Sequence, residues 1–256
     1  MNSVAAFAAF TPIAPDAAGA PLYRVVKRAL LREIEGGRYS AGETLPSETE
    51  LAGALGVSIG TLRHAVDELV AEHILVRRQG RGTFVAMHNA DRFLFQFFHV
   101  ERSDGLREVP QVDLVAFERV RMEEEPAQAL GLKAGVAAIQ IDNRLLLQGR
   151  AVIHDRLTIP APLFKGLTEK RFRERTSTIY HLYQTEYGIT VTRALERARA
   201  VAADRGAARI LGITVGAPVM QVRRTALTFG DKPVEYRVST ISTTHHEYVH
   251  LLSKPA

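Results

Sequence analysis

The spacing of apolar residues predicts two short helices joined by a tight turn between residues 47 and 71. Apolar residues recur at helical spacing in both, at Leu51, Ala54 and Leu55 and then at Leu62, Ala65, Val66, Leu69 and Val70. Ser47 and Glu50 fit a capping box at the start of the first helix, and Gly56 stands where a left-handed C-cap residue is expected. Ser58 can cap the second helix, and Val57 is expected to be the buried residue of the turn.

The second helix has a polar face opposite its apolar stripe. This face carries Ser58, Ile59, Gly60, Arg63, His64 and Asp67. Positions 59 and 63 are four residues apart, as are 60 and 64, so these side chains point the same way. A recognition helix presents such a face, near its N-terminus, to the major groove of DNA. The alternative is a small helical domain whose solvent face happens to contain Arg and His.

A basic, glycine-rich hairpin follows the helix pair and favours DNA binding. Residues 74–76 predict one strand and residues 84–85 its partner. The connection between them carries Arg77, Arg78, Gly80, Arg81 and Gly82. Glycines permit a tight turn and a close approach of the backbone to a surface, and arginines at a hairpin tip suit phosphate contacts or a narrow minor groove. Residues 45–85 therefore have the layout of a winged helix-turn-helix.

Residues 93–256 have a mixed pattern of strands and helices. The predicted strands are 112–120, 136–147, 151–159, 194–202, 219–228 and 234–242, and the predicted helices are 126–132, 178–187 and 204–211. Two hairpin units share two glycines, a glutamine, a turn glycine and a final Thr-Ile. Their offset of about 81 residues is too long for a solenoid. The similarity predicts a duplicated helix-plus-hairpin unit and one antiparallel sheet with helices on a face.

Composition narrows the range of sites and partners. The chain has 256 residues, a net charge of +5 and no cysteine, which excludes disulfides and thiolate metal sites. No apolar run approaches the roughly 18 residues of a membrane span, so no membrane partner is expected. The positive charge suits a polyanion, but residues 21–88 hold nine Lys and Arg against eight Asp and Glu. The basic charge of that region is therefore local.

Four parts make up the expected domain organisation. They are a disordered leader (1–20), the winged helix-turn-helix domain (21–86), a linker (87–92) and a second domain (93–256). The leader is rich in Ala and Pro and has no Lys or Arg, so it lacks the charged region of a secretory signal. A cytoplasmic protein is therefore expected, associated with the nucleoid when it is bound to DNA.

Segment 21–85 resembles the DNA-binding domain of GntR-type bacterial transcriptional regulators. The resemblance rests on PLYRVVKRALLREIEGGRYSAGETLPSE around the first helix and on RRQGRGTFV in the wing. It implies operator contacts by Thr49, Ser58, Ile59, Gly60, Thr61, Arg63, His64, Gln79, Gly80, Arg81 and Gly82. Thr61 and Arg63 match the family's contact positions, whereas Thr49 and Ile59 stand where such regulators commonly have Arg. An operator unusual for the family is therefore expected, with Ile59 against a thymine methyl group.

The second domain resembles the UTRA effector domain of HutC-like GntR regulators, which shares the fold of chorismate lyase. The matching segments are LGLKAG, IDNRLLLQGRAVIHDRLTIP, TSTIYHLYQTEYGI and LGITVGAPVMQVRRTALTFGDKPVEYRVS. The resemblance implies an α+β fold with an antiparallel sheet, and an effector held by Arg144, Asp155, Thr178, Tyr180 and Glu235. Arg144 would pair with an anionic group, and Thr178 would offer its hydroxyl and backbone N–H at a helix start. Members that bind phosphosugars tend to have Arg-x-Arg where this chain has Arg144-Leu145-Leu146, so a carboxylate or a less charged ligand is at least as well supported.

These features predict a transcriptional regulator, expected to be a repressor, whose affinity for double-stranded operator DNA is controlled by a small-molecule effector. A homodimer on a pseudo-palindromic operator is expected, with no cofactor, metal or catalytic residue. Two alternatives stay open, a lyase-like activity of the second domain and an architectural DNA protein without an effector. A metal site at His245, His246 and His250 is less favoured than a solvated or structural role. His154 and His181 are expected near the effector.

Overall fold

The chain divides between Met87 and His88 into two units, which are described separately. The computed structural model describes residues 12–13, 19–89, 94 and 96–250. Most of the predicted leader (1–20) and part of the predicted linker (87–92) lie outside the described residues. The first and last residues of the linker therefore stay predictions.

The described residues of the first unit form three helices and a hairpin. They are α1 (Leu22–Glu35), α2 (Glu48–Leu55), α3 (Ile59–Ala71), β1 (Leu75–Arg78) and β2 (Gly82–Val85). Ser47 and Glu50 form the predicted capping box at the start of α2, and Gly56 ends that helix in the left-handed conformation with a φ of 67°. Ser58 caps α3 by accepting a hydrogen bond from the backbone N–H of Thr61. Capping residues a few positions apart therefore define both ends of the turn.

Apolar stripes of the three helices form the core of the first unit. Its buried residues include Val26, Leu30, Leu51, Leu55, Leu62, Ala65, Val66 and Leu69. Two details differ from the sequence prediction. Ala52 rather than Ala54 is buried in α2, and Val57 is only half-buried. The turn lies at the surface, because Gly56 and Ser58 on either side of Val57 are both exposed.

The second unit is built on one six-stranded antiparallel sheet with the order β4-β5-β6-β9-β8-β7. Its strands are β4 (Gln111–Arg121), β5 (Ala137–Leu147), β6 (Arg150–Pro160), β7 (Arg193–Ala202), β8 (Pro218–Leu227) and β9 (Pro233–Ile241). A separate two-stranded sheet pairs β3 (Val100–Arg102) with β10 (His246–Tyr248). The helices are α4 (Glu124–Leu130), α5 (Glu169–Arg173), α6 (Ile179–Tyr187) and α7 (Arg205–Leu211).

The sheet order agrees with the predicted duplication. Strand, helix, strand and strand follow each other as β4, α4, β5 and β6, and again as β7, α7, β8 and β9. The two copies meet where β6 pairs with β9, so the first, second and third strands of each copy follow in the same order from its own edge of the sheet to the centre. Gly131 and Gly212 end α4 and α7 in the left-handed conformation, at equivalent places in the repeat.

Helices cover both faces of this sheet, not one face as the sequence analysis expected. Ile139 belongs to the large core that includes Tyr180 and Tyr183 of α6, whereas its neighbour Ala138 packs with α4. Ala208 of α7 packs against Val219 on that second face. Because successive residues of a strand point to opposite faces, a sheet whose two faces both carry apolar residues needs a cover on each.

Candidate DNA-reading surface and ligand cavity

The start of α3 is an exposed surface that carries most of the predicted DNA contacts. Ser58, Ile59, Gly60, Arg63 and His64 are all exposed, and Thr61 is half-buried. Ile59 has 43% of its surface exposed, so its apolar side chain can contact a thymine methyl group. Thr49 of α2 is exposed as well. The cap formed by Ser58 starts α3 at this surface, so the first turn of the helix is exposed.

The wing presents a glycine-rich tip on an anchored base. Its predicted contact residues, Gln79, Gly80, Arg81 and Gly82, are exposed. Gly80 and Gly82 have φ angles of 67° and 101°, a region that residues with a Cβ rarely adopt. The base is held by a third segment, because the backbone N–H of Leu45 donates to the Thr83 carbonyl at 2.8 Å.

The three arginines of the wing have different environments, and only Arg81 was among the operator contacts named in the sequence analysis. Arg77 donates to Asp67 and, at 2.9 Å, to Glu48. The guanidinium of Arg78 lies over the Phe84 ring, 4.7 Å from its centre. Arg81 is the one wing arginine without a side-chain partner among the described residues, because it lies at the exposed tip. It is therefore the best placed of the three for a phosphate or a minor groove.

The recognition helix is fixed against α1 by side chains from both helices. The His64 ring stacks on the Tyr23 ring with 3.9 Å between their centres. Lys27 donates to Glu68 at 2.7 Å and to Glu72 at 2.5 Å. These contacts orient the exposed face of α3 relative to the rest of the unit.

A cavity of about 280 Å³ lies in the second unit, between the sheet and the N-terminus of α6. Its lining residues are Val109, Pro110, Val112, Asn143, Leu145, Asp155, Arg175, Thr176, Ser177, Thr178, Ile179 and Arg237. The apolar part comes mainly from the segment 109–112 and from Leu145, and the polar part comes from the sheet centre and from residues 175–178. This volume suits a small metabolite.

The floor of the cavity is a buried network of charged and phenolic groups. Arg237 donates to Asp155 at 3.1 Å and to Glu235 at 3.0 Å. Glu235 also accepts from Tyr180 at 3.2 Å and from Tyr183 at 2.8 Å. Burial alone would lower the pKa of Arg237, but its anionic neighbours outweigh burial and raise that pKa. Burial and the nearby Glu235 raise the pKa of Tyr180 to about 12, so this phenol stays protonated and can donate.

The opposite side of the cavity is suited to an anion. Thr178 caps α6 by accepting from the N–H of His181 at 3.2 Å, and the first N–H groups of the helix end at the cavity. Arg175 donates to the Phe172 carbonyl at 2.6 Å, and its buried Nε has no hydrogen-bond partner. No carboxylate of the described residues pairs with it. Burial lowers the pKa of Arg175 by more than Tyr183 raises it, and the positive charge of Arg237 lowers it further. A bound anion would supply the missing counter-charge.

The structure brings four of the five predicted effector residues together. Asp155 and Thr178 line the cavity, while Tyr180 and Glu235 lie in the buried network behind it. Arg144 is outside the cavity lining and donates to Asp113 at 2.8 Å. The reason is the alternation of the strand, because the neighbours of Arg144 on either side point into the cavity and Arg144 points away.

Ten of the twelve lining residues were not named as effector residues by the sequence analysis, and three of these ten matter most for the chemistry of the cavity. They are Asn143, Arg175 and Arg237. Asn143 lies next to Arg144 and is paired with Asp155 across the strands, so a strict application of strand alternation would have found it. Its Oδ1 is buried without a hydrogen-bond partner and can accept from a ligand. Arg175 lies in an irregular segment that has no periodic signature.

The histidines lie in ordinary structural environments. His154 contacts Asp142 at 2.9 Å, and the Nδ1 of His181 contacts the His88 carbonyl at 2.8 Å. Neither is among the lining residues of the cavity. His246 belongs to β10, a strand, and not to a helix with i,i+4 spacing. Within the described ranges, no three His, Cys, Asp or Glu side chains are placed to hold a metal ion. In the same ranges, no helix has the length and apolar character needed to cross a bilayer.

Comparison with known proteins gives the same assignment for both units. Residues 22–85 match the model of bacterial regulatory proteins of the gntR family, and residues 106–247 match the UTRA domain. The HTH-type transcriptional repressor NagR of Bacillus subtilis is 30% identical over 91% of this chain and 96% of its own length. The histidine utilization repressor of Pseudomonas putida is 28% identical over 84% of this chain and 85% of its own length.

Solved structures show the same folds. The ligand-binding domain of a protein described as a GntR-family regulator, from Bordetella bronchiseptica, has 31% identity and a TM-score of 0.58 over 62% of this chain and 99% of its own. PhnF from Mycobacterium smegmatis has a TM-score of 0.51 at 22% identity, over 90% of this chain and 100% of its own, which shows the fold alone.

Proposed function

The chain belongs to the GntR family of bacterial regulators and carries a UTRA domain, and on this basis we propose that it represses transcription until a small anionic metabolite binds in the cavity at the start of α6. Control of DNA binding by a ligand follows from the two domains. Repression is supported by the names of the relatives. The observation that carries the ligand proposal is Arg175, a half-buried cation with no carboxylate partner among the described residues, beside a helix N-terminus.

DNA binding is proposed to place the start of α3 in the major groove and the wing tip against the backbone or the minor groove. Arg63 would read a guanine and Ile59 a thymine methyl group. The remaining contacts are assigned to Thr49, Ser58, Gly60, Thr61, His64, Gln79, Gly80, Arg81 and Gly82. The exposure of all these residues except the half-buried Thr61 supports this assignment.

Two copies of the chain are proposed to bind one pseudo-palindromic operator, as the two-fold symmetry of a dimer would require. The effector then acts by its different affinity for two states of the dimer that space the recognition helices differently. A protein that reads operators works in the compartment that holds the chromosome, and we place it there.

The cavity suggests the chemistry of the effector. An anionic group would lie against Arg175 and the N–H groups at the start of α6. At the other end, Asn143 and Asp155 offer oxygen acceptors, so the ligand needs an amino or hydroxyl group there. Arg144 faces away from this site, so a second cation for a phosphate is not supplied from β5. We therefore propose a small carboxylate with a hydrogen-bond donor at its far end.

The proposal is tested in two steps with the full chain. In the first, selection from random duplex DNA should yield a two-fold symmetric sequence, and Arg63→Ala should weaken binding to it by about 1–3 kcal/mol. Unchanged binding by that variant would refute the docking. In the second, a thermal-shift screen of amino acids, hydroxy acids and their phosphorylated analogues should find a carboxylate that raises the midpoint and releases the DNA.

Two results would favour the alternatives. Release of pyruvate from chorismate would indicate a lyase activity of the second unit. DNA binding that no metabolite changes would indicate an architectural protein.

A further inference from the structure

Four charged side chains from three elements of the first unit form a chain of ion pairs across the proposed DNA-reading surface. Glu48, the first residue of α2, accepts from the Nε of Arg63 on α3 at 2.9 Å. Its other oxygen accepts from Arg77 on β1 at 2.9 Å, and Arg77 also donates to Asp67 on α3. One carboxylate thus connects the positioning helix, the recognition helix and the base of the wing.

We propose that Glu48 is a positioning residue that determines base specificity by holding Arg63 ready to read a guanine. This inference rests on the proposed function of α3. The bond to Glu48 uses the Nε of Arg63, and no described residue bonds to its two Nη groups. The guanidinium has five N–H donors in a planar fork. The donors that stay free can therefore make a two-pronged contact to one base.

Glu48 is itself held in place from its other side. Arg77 lies between Glu48 and Asp67, so this arginine is occupied by two carboxylates and fixes the position of the first one. The four charges sum to zero. Arg63 and Arg77 therefore attract phosphates less than two free arginines would, which weakens binding to DNA of arbitrary sequence.

The arrangement matters because α3 has a single Lys or Arg. Its sequence is IGTLRHAVDELVA, in which Arg63 is the only such residue. Thr49 and Ile59 cannot make the two-pronged contact of an arginine. Discrimination at guanine by this helix therefore depends on one side chain, and the orientation of that side chain depends on Glu48.

The test compares Glu48→Gln with Glu35→Gln in the full chain. Glu35 is an exposed residue of α1, so its variant loses the same charge away from this surface. Wild-type protein first selects its operator from random duplex DNA. Binding is then measured to that operator, to an operator whose guanine recognised by Arg63 is replaced, and to random DNA. The two arginines bond to different oxygens of Glu48, and Glu48→Gln replaces one of these oxygens by an NH2 group that cannot accept.

The preference of Glu48→Gln for the guanine is expected to fall by about tenfold to a hundredfold, the value of a hydrogen bond between charged groups. Binding to random DNA should be unchanged or tighter, with a salt dependence steeper by about one charge. Glu35→Gln should behave as wild type, and Glu48→Asp, which keeps the charge, should be intermediate. In an Arg63→Ala background, Glu48→Gln should have no further effect on the preference.

Two results would overturn the inference. The first is that Glu48→Gln keeps the full preference for guanine although Arg63→Ala loses it. The second is that Glu48→Gln reduces the guanine preference equally in the wild-type and in the Arg63→Ala background. Far-ultraviolet circular dichroism and melting of each variant identify any loss of folding. Failure of the wild type to select any sequence would instead refute the proposed function, so the two failures are distinguishable.

Discussion

Arg237 is the residue whose replacement most directly tests how the ligand-binding unit is held together. It is 4% exposed and lies between Glu235 and Asp155, which are 0% and 3% exposed. Replacement by Met keeps the length and the apolar stem of the side chain but removes the cation. Two buried carboxylates then face each other without a counter-charge, which is far more costly than the loss of a surface ion pair.

The free energy of unfolding lost in Arg237→Met depends on the hydrogen bonds that the two carboxylates still accept. Removing one partner of a buried ion pair costs about 3–5 kcal/mol. The lower end is expected here, because Tyr180 and Tyr183 still donate to Glu235 and Ser239 still donates to Asp155 at 2.5 Å. For a unit of this size each kcal/mol lowers the melting temperature by about 2–4 °C, so Arg237→Met should lower it by roughly 10 °C.

Calorimetry of the full chain measures this change. Leu62→Ala empties part of the core of the first unit and so identifies the transition of that unit. Arg199→Met is the matched control, because Arg199 is exposed and its side chain contacts Gln221; its effect should stay within about 0.5 kcal/mol. Adding Glu235→Gln to Arg237→Met should recover part of the loss, since one unpaired charge is removed. A cost below about 1 kcal/mol for Arg237→Met would refute this account of the network.

Three further predictions concern the cap of α2, the wing tip and the cavity. Ser47→Ala should destabilise the first unit by about 1 kcal/mol in urea at pH 7. Hydrogen bonds from the Ser47 side chain and backbone lower the pKa of Glu50, so the stabilisation that they give is complete above the ordinary Glu pKa of 4.5 and is lost as pH falls through the lowered pKa. Ser47→Ala should therefore lose less stability in acid than wild type. An unchanged pH profile would contradict this. Arg81→Ala should reduce the salt slope of operator binding by about one in a titration between low and high salt, and an unchanged slope would remove Arg81 from the phosphate contacts. Arg175→Ala should abolish the rise in melting midpoint caused by the carboxylate effector while leaving ligand-free DNA binding unchanged, and a full ligand response would exclude this cavity as the effector site.

Elements whose signals are local were predicted from the sequence to within a few residues. The helix predicted at 178–187 is α6 (Ile179–Tyr187) with Thr178 as its cap, and the one predicted at 204–211 is α7 with Asp204 as its cap. Capping side chains and left-handed glycines act on backbone groups only a few positions away. The duplicated unit was predicted for a similar reason, since its two copies repeat the same local signals.

The sequence did not predict which charged side chains pair with each other at the candidate sites, because the partners are far apart in the chain. Arg77 was grouped with the wing arginines that suit phosphate contacts, but Glu48, 29 positions earlier, and Asp67 occupy it in the fold. Arg144 was expected at the effector because of the resemblance to UTRA domains, and the pairing of β4 with β5 gives it Asp113 instead. Neither partner is indicated by any periodicity in the neighbourhood of the arginine.

The sequence by itself thus determined the two domains, most of their helices and hairpins, the exposed face of α3 and the family to which the chain belongs. It did not predict α5 or the pairing of β3 with β10. All of the predicted features depend on interactions within one element or one turn, or on the order of such elements. Tertiary structure alone decided which arginines keep a free guanidinium, which strand face lines the cavity, and that Arg175, Arg237 and Asn143 meet there. A charged group is neutralised by whatever the fold brings within about 4 Å of it, and that distance is set by packing between elements and not by spacing along the chain.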